Sequence, residues 1–131
     1  EYPWGDGRGM TTEVLSYIDS RLKELNINYA FMRHENHPGY PYCVGEYREV
    51  DNNCEDKSSE SVFTLAFFTR NTWIELLTIN ELIKSRFDNK IIKLSDEHTV
   101  AFYYENHNLI DDEDPNLKRM ELTIRIKEWS E

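Results

Sequence analysis

The sequence contains few of the residues that cross-link a chain or break its regular structure. It has two cysteines, four prolines and five glycines among 131 residues. Cys43 and Cys54 could pair in principle, but two cysteines in a domain of this size are more typical of reduced intracellular thiols. Three of the five glycines lie in Glu1 to Gly9, just before Met10. We therefore interpret residues 1–9 as an added leader and residues 10–131 as a single domain.

The sequence also lacks long apolar runs and an excess of basic residues. No stretch reaches the ~18 uninterrupted apolar residues of a membrane helix, so we expect a soluble protein with no membrane partner. Lys and Arg number 15 against 25 Asp and Glu, which gives a net charge of -10. This balance disfavours a surface that grips a phosphate backbone, because such binding needs clustered cations. It does not argue against DNA passing nearby, because an acidic channel wall repels the phosphate backbone and keeps a strand from sticking.

The sequence has enough apolar residues for a hydrophobic core, at 39% hydrophobic and 13% aromatic. Apolar residues at helical spacing predict a first helix over Thr11 to Asn26. Two strands are predicted to follow, over Tyr29 to Arg33 and over Tyr42 to Val50. The polar stretch from Asp51 to Ser59 has no periodicity, and we interpret it as a mobile hairpin tip or a longer flexible loop.

The most informative stretch runs from Ser61 to Phe87. It begins with a strand dense in Val, Phe, Leu and Ala that extends to Arg70, and it continues as an amphipathic helix. Thr72 and Glu75 have the spacing of a capping box, in which the hydroxyl satisfies a free N–H and the carboxylate reaches back toward the cap. This helix is more apolar than one stripe packed on a sheet requires. The simplest interpretation is a buried core helix, and the sharper one is that Trp73 or Leu77 also contributes to a subunit interface.

The remainder of the sequence is rich in strand patterns. Ile91 to Leu94 and Thr99 to Glu105 are predicted strands, and Asn106 to Asn116 is predicted to be a second acidic loop. From Met120 to Lys127 apolar and polar residues alternate, as in a sheet with one buried face. The resulting order, α-β-β-β-α-β-β-β, predicts an α+β fold of one domain. We expect a largely antiparallel or mixed sheet with both helices packed on one face.

The sequence contains weak resemblances to metal sites. His34 and His37 flank Glu35 but are three residues apart beside a proline, whereas the zinc protease motif has histidines four apart on a helix; Cys43 would add a third ligand, with no fourth evident. The acidic stretches starting at Asp51 and Asp111 lack the twelfth-position glutamate of a calcium loop. We therefore predict no metal site and no cofactor.

Local signals for catalysis are equally weak. The sequence has no GxSxG nucleophile motif, and neither cysteine lies in a basic setting. If the chain were an enzyme, His34, His37 and His98 would be the first residues to test. We predict a protein that is not an enzyme and has no catalytic residues.

The face of the sheet opposite the helices needs a partner of its own. Exposed aromatic residues on strands are suited to subunit contacts. The candidate interface residues are Tyr40, Tyr42, Tyr47, Trp73, Leu77 and Tyr103.

Taken together, these segments resemble the tail terminator, or tail-completion, proteins of long-tailed bacteriophages with non-contractile tails, and are similar in plan to the lambda tail terminator. The resemblance covers most of Thr11 to Trp129 and consists of element order, length and local composition. It is carried by the segments TTEVLSYIDSRLKEL, YAFMRHE, YPYCVGEYREV, SVFTLAFFTRNTWIELLTINELIKSRF and KRMELTIRIKEW.

The resemblance implies a non-enzymatic ring, commonly a hexamer, at the head-proximal end of the tail in the virion, assembled in the host cytoplasm. Such a ring stops polymerisation of the tail tube protein, contacts the head completion protein, and lets DNA pass without specific binding. Two acidic loops are candidates for the lumen or for partner contacts. Their residues are Asp51, Glu55, Asp56, Asp111, Asp112, Glu113 and Asp114.

Three other interpretations remain open from the sequence. The chain could be a different head-tail connector or a minor tail protein, with similar partners. It could be an acidic DNA mimic that inhibits a nuclease, in which case it would be a monomer or dimer that binds a basic enzyme. A small metal-dependent hydrolase is the last alternative.

Overall fold

The computed structural model describes residues 12–36, 38–51 and 58–130. These form two helices and six strands in the order predicted from the sequence. The elements are α1 Thr12–Glu24, β1 Tyr29–Phe31, β2 Tyr42–Asp51, β3 Ser58–Thr69, α2 Trp73–Phe87, β4 Lys90–Ser95, β5 His98–Asp111 and β6 Lys118–Ser130. In this described part of the chain, no helix has the length and apolarity needed to cross a membrane.

The six strands form one mixed, curled sheet in the order β1-β2-β3-β6-β5-β4. The β1–β2 pair is parallel, and every other pair is antiparallel. The longest strands, β3, β5 and β6, lie side by side in the middle. The predicted α+β fold with a mixed sheet is therefore confirmed.

Both helices pack on the same face of this sheet. Alternate residues of β3 and β6 are buried there, and the register sets Phe63 opposite Ile124 and Leu65 opposite Leu122. Onto these residues α1 packs Val14, Ile18 and Leu22, and α2 packs Leu76, Ile83 and Phe87. The strict alternation of β6 follows from this arrangement, because only one of its faces is covered.

A small polar network fixes α2 over β5. Asn80 is buried on the helix, and the Tyr104 hydroxyl donates to its Oδ1 at 2.9 Å. His107 Nδ1 lies 2.7 Å from the same hydroxyl oxygen. Because the hydroxyl proton is used on Asn80, the imidazole must be the donor in the second bond. The network satisfies a buried amide that would otherwise be costly.

The N-terminus of α2 confirms half of the predicted capping box. Thr72 is the N-cap, and its hydroxyl accepts from the Glu75 N–H at 3.1 Å. The Glu75 carboxylate, however, accepts from the Thr69 hydroxyl and the Asn71 side-chain amide. The carboxylate therefore holds the preceding strand end and turn against the helix.

The predicted loop from Asn106 to Asn116 is wrong over its first half. β5 continues to Asp111, with Leu109 paired to Met120 and Ile110 paired to Arg119. A β-bulge between Tyr104 and Asn106 makes this possible, because one extra residue shifts the alternation and keeps apolar side chains on the correct face. The polar stretch after Tyr104 obscured this in the sequence. The predicted loop from Asp51 to Ser59 is also too wide, since Asp51, Ser58 and Ser59 belong to strands; residues 52–57 lie outside the described residues.

Candidate interaction surface

The sheet face opposite the helices, here called the open face, is covered by no helix in the described residues. The strand register arranges its side chains in rows. One end has Tyr42, Phe68, Arg119 and Ile110 in a row from β2 to β5. Further along, the rows are Arg48, Val62, Arg125 and Tyr103; then Glu60, Lys127, Ala101 and Ile91; and then Ser58, Trp129, Thr99 and Lys93.

Cationic side chains of β6 cover aromatic rings on this face. The Arg119 guanidinium lies 5.6 Å from the centre of the Phe68 ring, and that of Arg125 lies 5.6 Å from the centre of the Tyr103 ring. Lys127 Nζ lies 5.4 Å from the Trp129 ring. Long basic side chains lay their aliphatic parts over apolar surface and leave the charge in water. This explains why the aromatic residues are half-buried without a helix above them.

The half of the open face nearer the start of β5 is basic, and we call it the basic half. Its cations are Arg48, Lys93, Arg125 and Lys127, of which the first three are exposed. Glu60 lies in the same rows, and Glu105 approaches Arg125 with its carboxylate 3.7 Å from Nε. Among the side chains that the structure describes, the basic half thus has four cations and two carboxylates, on a chain whose net charge is -10; the backbone of Asp51 pairs with Glu60 in one of its rows. It contrasts in sign with the molecule as a whole.

The other end of the open face is aromatic. Tyr42 stacks on Phe68 with ring centres 4.8 Å apart, and Tyr40 lies 5.4 Å from Tyr42. The Arg70 guanidinium lies 5.3 Å from the Tyr40 ring. Partial burial is the main cause that raises the pKa of Tyr42, and the neighbouring Tyr40 adds to it. The Tyr42 phenol therefore remains a neutral hydrogen-bonding group at physiological pH.

Beyond this aromatic end lies what we call the acidic turn, which consists of Asp111, the last residue of β5, and the next three residues, Asp112 to Asp114. It is an ordered turn, because Asp112 Oδ1 accepts from the Asp114 N–H at 3.0 Å and Asp114 Oδ1 accepts from the Asn116 N–H at 2.9 Å. Arg70 donates to Asp114 at 2.9 Å. The backbone hydrogen bond from Asn116 and then the bond from Arg70 lower the pKa of Asp114. Asp111 and Glu113 are exposed.

Both edges of the sheet have features that discourage pairing with another strand. β1 has only three residues, so it offers little backbone to a new strand. β4 has six residues, contains Lys90 and Lys93, and has a register shift after Lys93. Short edge strands, edge lysines and irregular register are devices that limit edge-to-edge association. These features apply to the two outermost strands. In the described residues the outer sides of β2 after Gly45 and of β5 after Phe102 have no strand partner, so they are also edges.

The structure divides the six predicted interface residues between two faces. Tyr40, Tyr42 and Tyr103 lie on or beside the open face, as described above. Tyr47 lies on the helix-bearing face, where it is 41% exposed and stacks on Phe31 with ring centres 6.3 Å apart. Trp73 is half-buried against the core, and Leu77 is 37% exposed on α2. These six residues therefore do not form one surface.

Of the predicted acidic contact residues, Asp111, Asp112, Glu113 and Asp114 lie in the acidic turn. Asp51 ends β2, and nothing is described of its side chain. Glu55 and Asp56 lie outside the described residues, as do residues 1–11, which include the predicted leader.

The sequence analysis named His98 only as a residue to test for catalysis and did not predict its contacts. This imidazole is 5% exposed; its Nδ1 lies 2.7 Å from Glu13 Oε1 on α1, and its Nε2 lies 2.8 Å from the buried Glu128 Oε1 on β6. Burial by itself would lower the pKa of His98, but the hydrogen bonds to the two carboxylates outweigh it and raise the pKa. No local motif signals this arrangement, because its members come from three separate elements.

His34 and Cys43, which were also considered for chemistry, make structural contacts. His34 Nε2 lies 3.0 Å from the Cys43 carbonyl oxygen, and its ring packs edge-on against Tyr42. Cys43 is a buried free thiol whose pKa burial raises well above its usual range, so it is a poor nucleophile. His37 and Cys54 lie outside the described residues.

Two shallow grooves flank α1, one toward Leu94 and one toward Phe31.

Over residues 12–36, 38–51 and 58–130, no group of three or more His, Cys, Asp or Glu side chains is arranged to hold a metal ion. The distinctive surface of the described chain is therefore the open face with its basic half, together with the acidic turn beside it. Comparison of the sequence with protein-family models and with curated proteins finds no match.

Proposed function

We propose that this protein is a phage tail terminator: a non-enzymatic subunit that forms a ring, hexameric by the resemblance described above, at the head-proximal end of a tail tube. In this role it stops polymerisation of the tube protein and joins the tube to the head completion protein. The proposal starts from the resemblance in element order and composition between Thr11 and Trp129.

The observation that carries the proposal is the open face. It presents Tyr103, Trp129 and Arg125 on the central strands of the sheet. Tyr, Trp and Arg are the residue types most enriched among energetically important interface contacts. A long sheet face rich in these residues is suited to a permanent partner, and a ring supplies one to every subunit.

The charge of the chain is consistent with the same role. At -10, a subunit repels the phosphate backbone at long range, and a ring of such subunits multiplies the effect. DNA then moves through the lumen without adhering. Residues of the acidic turn, in particular Asp111 and Glu113, are candidates for the lumen or for a contact with a neighbouring subunit or ring.

Electron microscopy of the purified chain in negative stain tests the proposal. We expect closed rings of uniform diameter with a central channel. Particles of monomer or dimer size only, together with tight binding of a basic nuclease, would instead support an acidic DNA mimic, for which the net charge would be the functional feature.

A further inference from the structure

We propose that the acidic turn of one copy docks on the basic half of the open face of the next copy, so that subunits associate head to tail. This inference rests on the proposed ring and names the contact that builds it. The occupant is a second copy of this chain, and the argument is charge complementarity between two separate patches of one molecule.

The two patches lie at opposite ends of the central strand. Asp111 in the acidic turn pairs with Lys118 at the start of β6, whereas Lys127 of the basic half lies close to the end of that strand. The distance along β6 from Lys118 to Lys127 is roughly 30 Å at about 3.3 Å per residue. The patches are therefore too far apart to pair within one subunit. They can meet only between two subunits.

The acidic turn is ordered by its own hydrogen bonds and presents negative charge to solvent. Asp112 and Asp114 are used internally, since each caps a backbone N–H, Asp114 is paired with Arg70, and Asp112 lies 3.7 Å from an Arg119 nitrogen. Asp111 and Glu113 are exposed. A turn that is already ordered loses little conformational entropy when it binds, which favours affinity.

The basic half supplies both charge and apolar area to receive the turn. Arg48, Lys93 and Arg125 are exposed, and between them lie the half-buried rings of Tyr103 and Trp129. A carboxylate arriving here would contact Arg125, whose ion pair with Glu105 is long at 3.7 Å. Exposed ion pairs of this kind contribute little within a subunit, so exchanging them for an intersubunit pair costs little.

A second copy fits this surface better than a nucleic acid does. Net repulsion acts on a polyanion and on a second copy alike, since both are negative. A second copy differs because its charge is uneven, so it can orient its acidic turn toward the basic half. A contact between two different patches is heterologous. It generates a ring when the rotation between subunits closes and a filament when it does not.

Charge reversal of each patch provides the test. One variant has Arg125→Glu and Lys127→Glu in the basic half, and the other has Asp111→Lys and Glu113→Lys in the acidic turn. We expect each variant alone to sediment as a monomer in analytical ultracentrifugation, with the dissociation constant raised at least about tenfold over that of the wild type. Mixing the two variants should restore assembly, because each reversed patch then meets its complement.

A control matched in net charge to the Arg125→Glu, Lys127→Glu variant has its changes on the helix-bearing side of the sheet. Lys23→Glu with Lys84→Glu alters exposed positions on α1 and α2, so this variant should assemble like the wild type. The wild-type contact should also weaken between about 0.05 M and 1 M salt, since the Debye length shortens from roughly 14 Å to 3 Å. Circular dichroism establishes that every variant is folded.

Several outcomes separate this inference from the proposed function. Reversal variants that still form the wild-type ring would overturn the docking surface and leave the ring intact. The wild type could instead form open filaments that are lost in each charge-reversal variant and restored when the two variants are mixed. That result would support the docking surface and contradict the closed ring. A single-stranded DNA oligonucleotide that binds the wild type but not the Arg125→Glu, Lys127→Glu variant would assign the basic half to nucleic acid and overturn the inference.

Discussion

At the residue scale, His98 links α1 to the sheet through its contacts with Glu13 on α1 and Glu128 on β6. An ionised carboxylate only accepts hydrogen bonds, so an imidazole held at 2.7 Å and 2.8 Å by two carboxylates carries a proton on each nitrogen. The charged imidazolium pairs with Glu13 on one side and with Glu128 on the other. A buried positive charge between two negative ones is stabilised by attraction that offsets its loss of hydration.

This pairing predicts a pH-dependent contribution to stability. The pKa of His98 is raised in the native state, so its contribution is complete below the ordinary histidine value of about 6.5 and is lost as pH rises through the higher native pKa. Between these values, the free energy of unfolding should fall with pH by up to about 1.4 kcal/mol per unit. Urea unfolding of wild type and His98→Gln at a series of pH values measures the difference in slope.

Glu13→Gln is the intermediate variant in this series. It removes the half-exposed carboxylate and leaves Glu128, so its slope should lie between those of the wild type and His98→Gln. Equal slopes for wild type and His98→Gln would show that this histidine does not hold its proton more tightly in the native state.

Gly45 provides a second test at this scale. A Cβ at this position would lie 2.7 Å from a carbon of Phe63 and 2.7 Å from a carbon of Tyr29, and both rings are buried. Gly45→Ala should therefore lower the free energy of unfolding by about 1–3 kcal/mol, the usual cost of overpacking a core. Gly39→Ala is the control, since a Cβ there would meet nothing within 4 Å. Equal effects of the two substitutions in urea unfolding would mean that the close approach at Gly45 is relieved without cost.

At the element scale, α2 depends on its N-cap. Thr72→Ala removes the acceptor for the Glu75 N–H and should lower the free energy of unfolding by about 1 kcal/mol. Thr78→Ala is the matched control, because Thr78 is exposed in the middle of α2 and its hydroxyl bonds the Ile74 carbonyl. Alanine there improves helix propensity, so little or no destabilisation is expected. A loss at Thr78 as large as that at Thr72 would contradict the capping role.

The elements with strong periodicity were predicted well from the sequence. The alternation in β6 and the cap of α2 are local properties, and the structure confirms both apart from the carboxylate of Glu75. The length of β5 was missed because its bulge interrupts the alternation after Tyr104. The parallel pairing of β1 with β2 was not predicted either, since three residues show no preference for direction.

At the scale of the whole molecule, the candidate surface depends on register. The basic residues of β6 are visible in the sequence as the polar half of an alternation. The aromatic rings that these basic residues cover come from three strands, however. The alignment of Arg125 between Val62 and Tyr103 follows only from the pairing of β3, β6 and β5. The sequence therefore predicts that aromatic contacts exist on a sheet face but not which residues share it. Tyr47 shows this, because it lies on the opposite face from Tyr42 and Tyr103.

The central claim also concerns the whole molecule. It is that the chain assembles into a closed ring through two different patches. Light scattering of the wild-type chain after size exclusion, at moderate protein concentration and low salt, measures this most directly. The account predicts one species near six times the chain mass of 15.7 kDa, unchanged on dilution until the contact dissociates. A protein that stays at 15.7 kDa over the whole concentration series would contradict it.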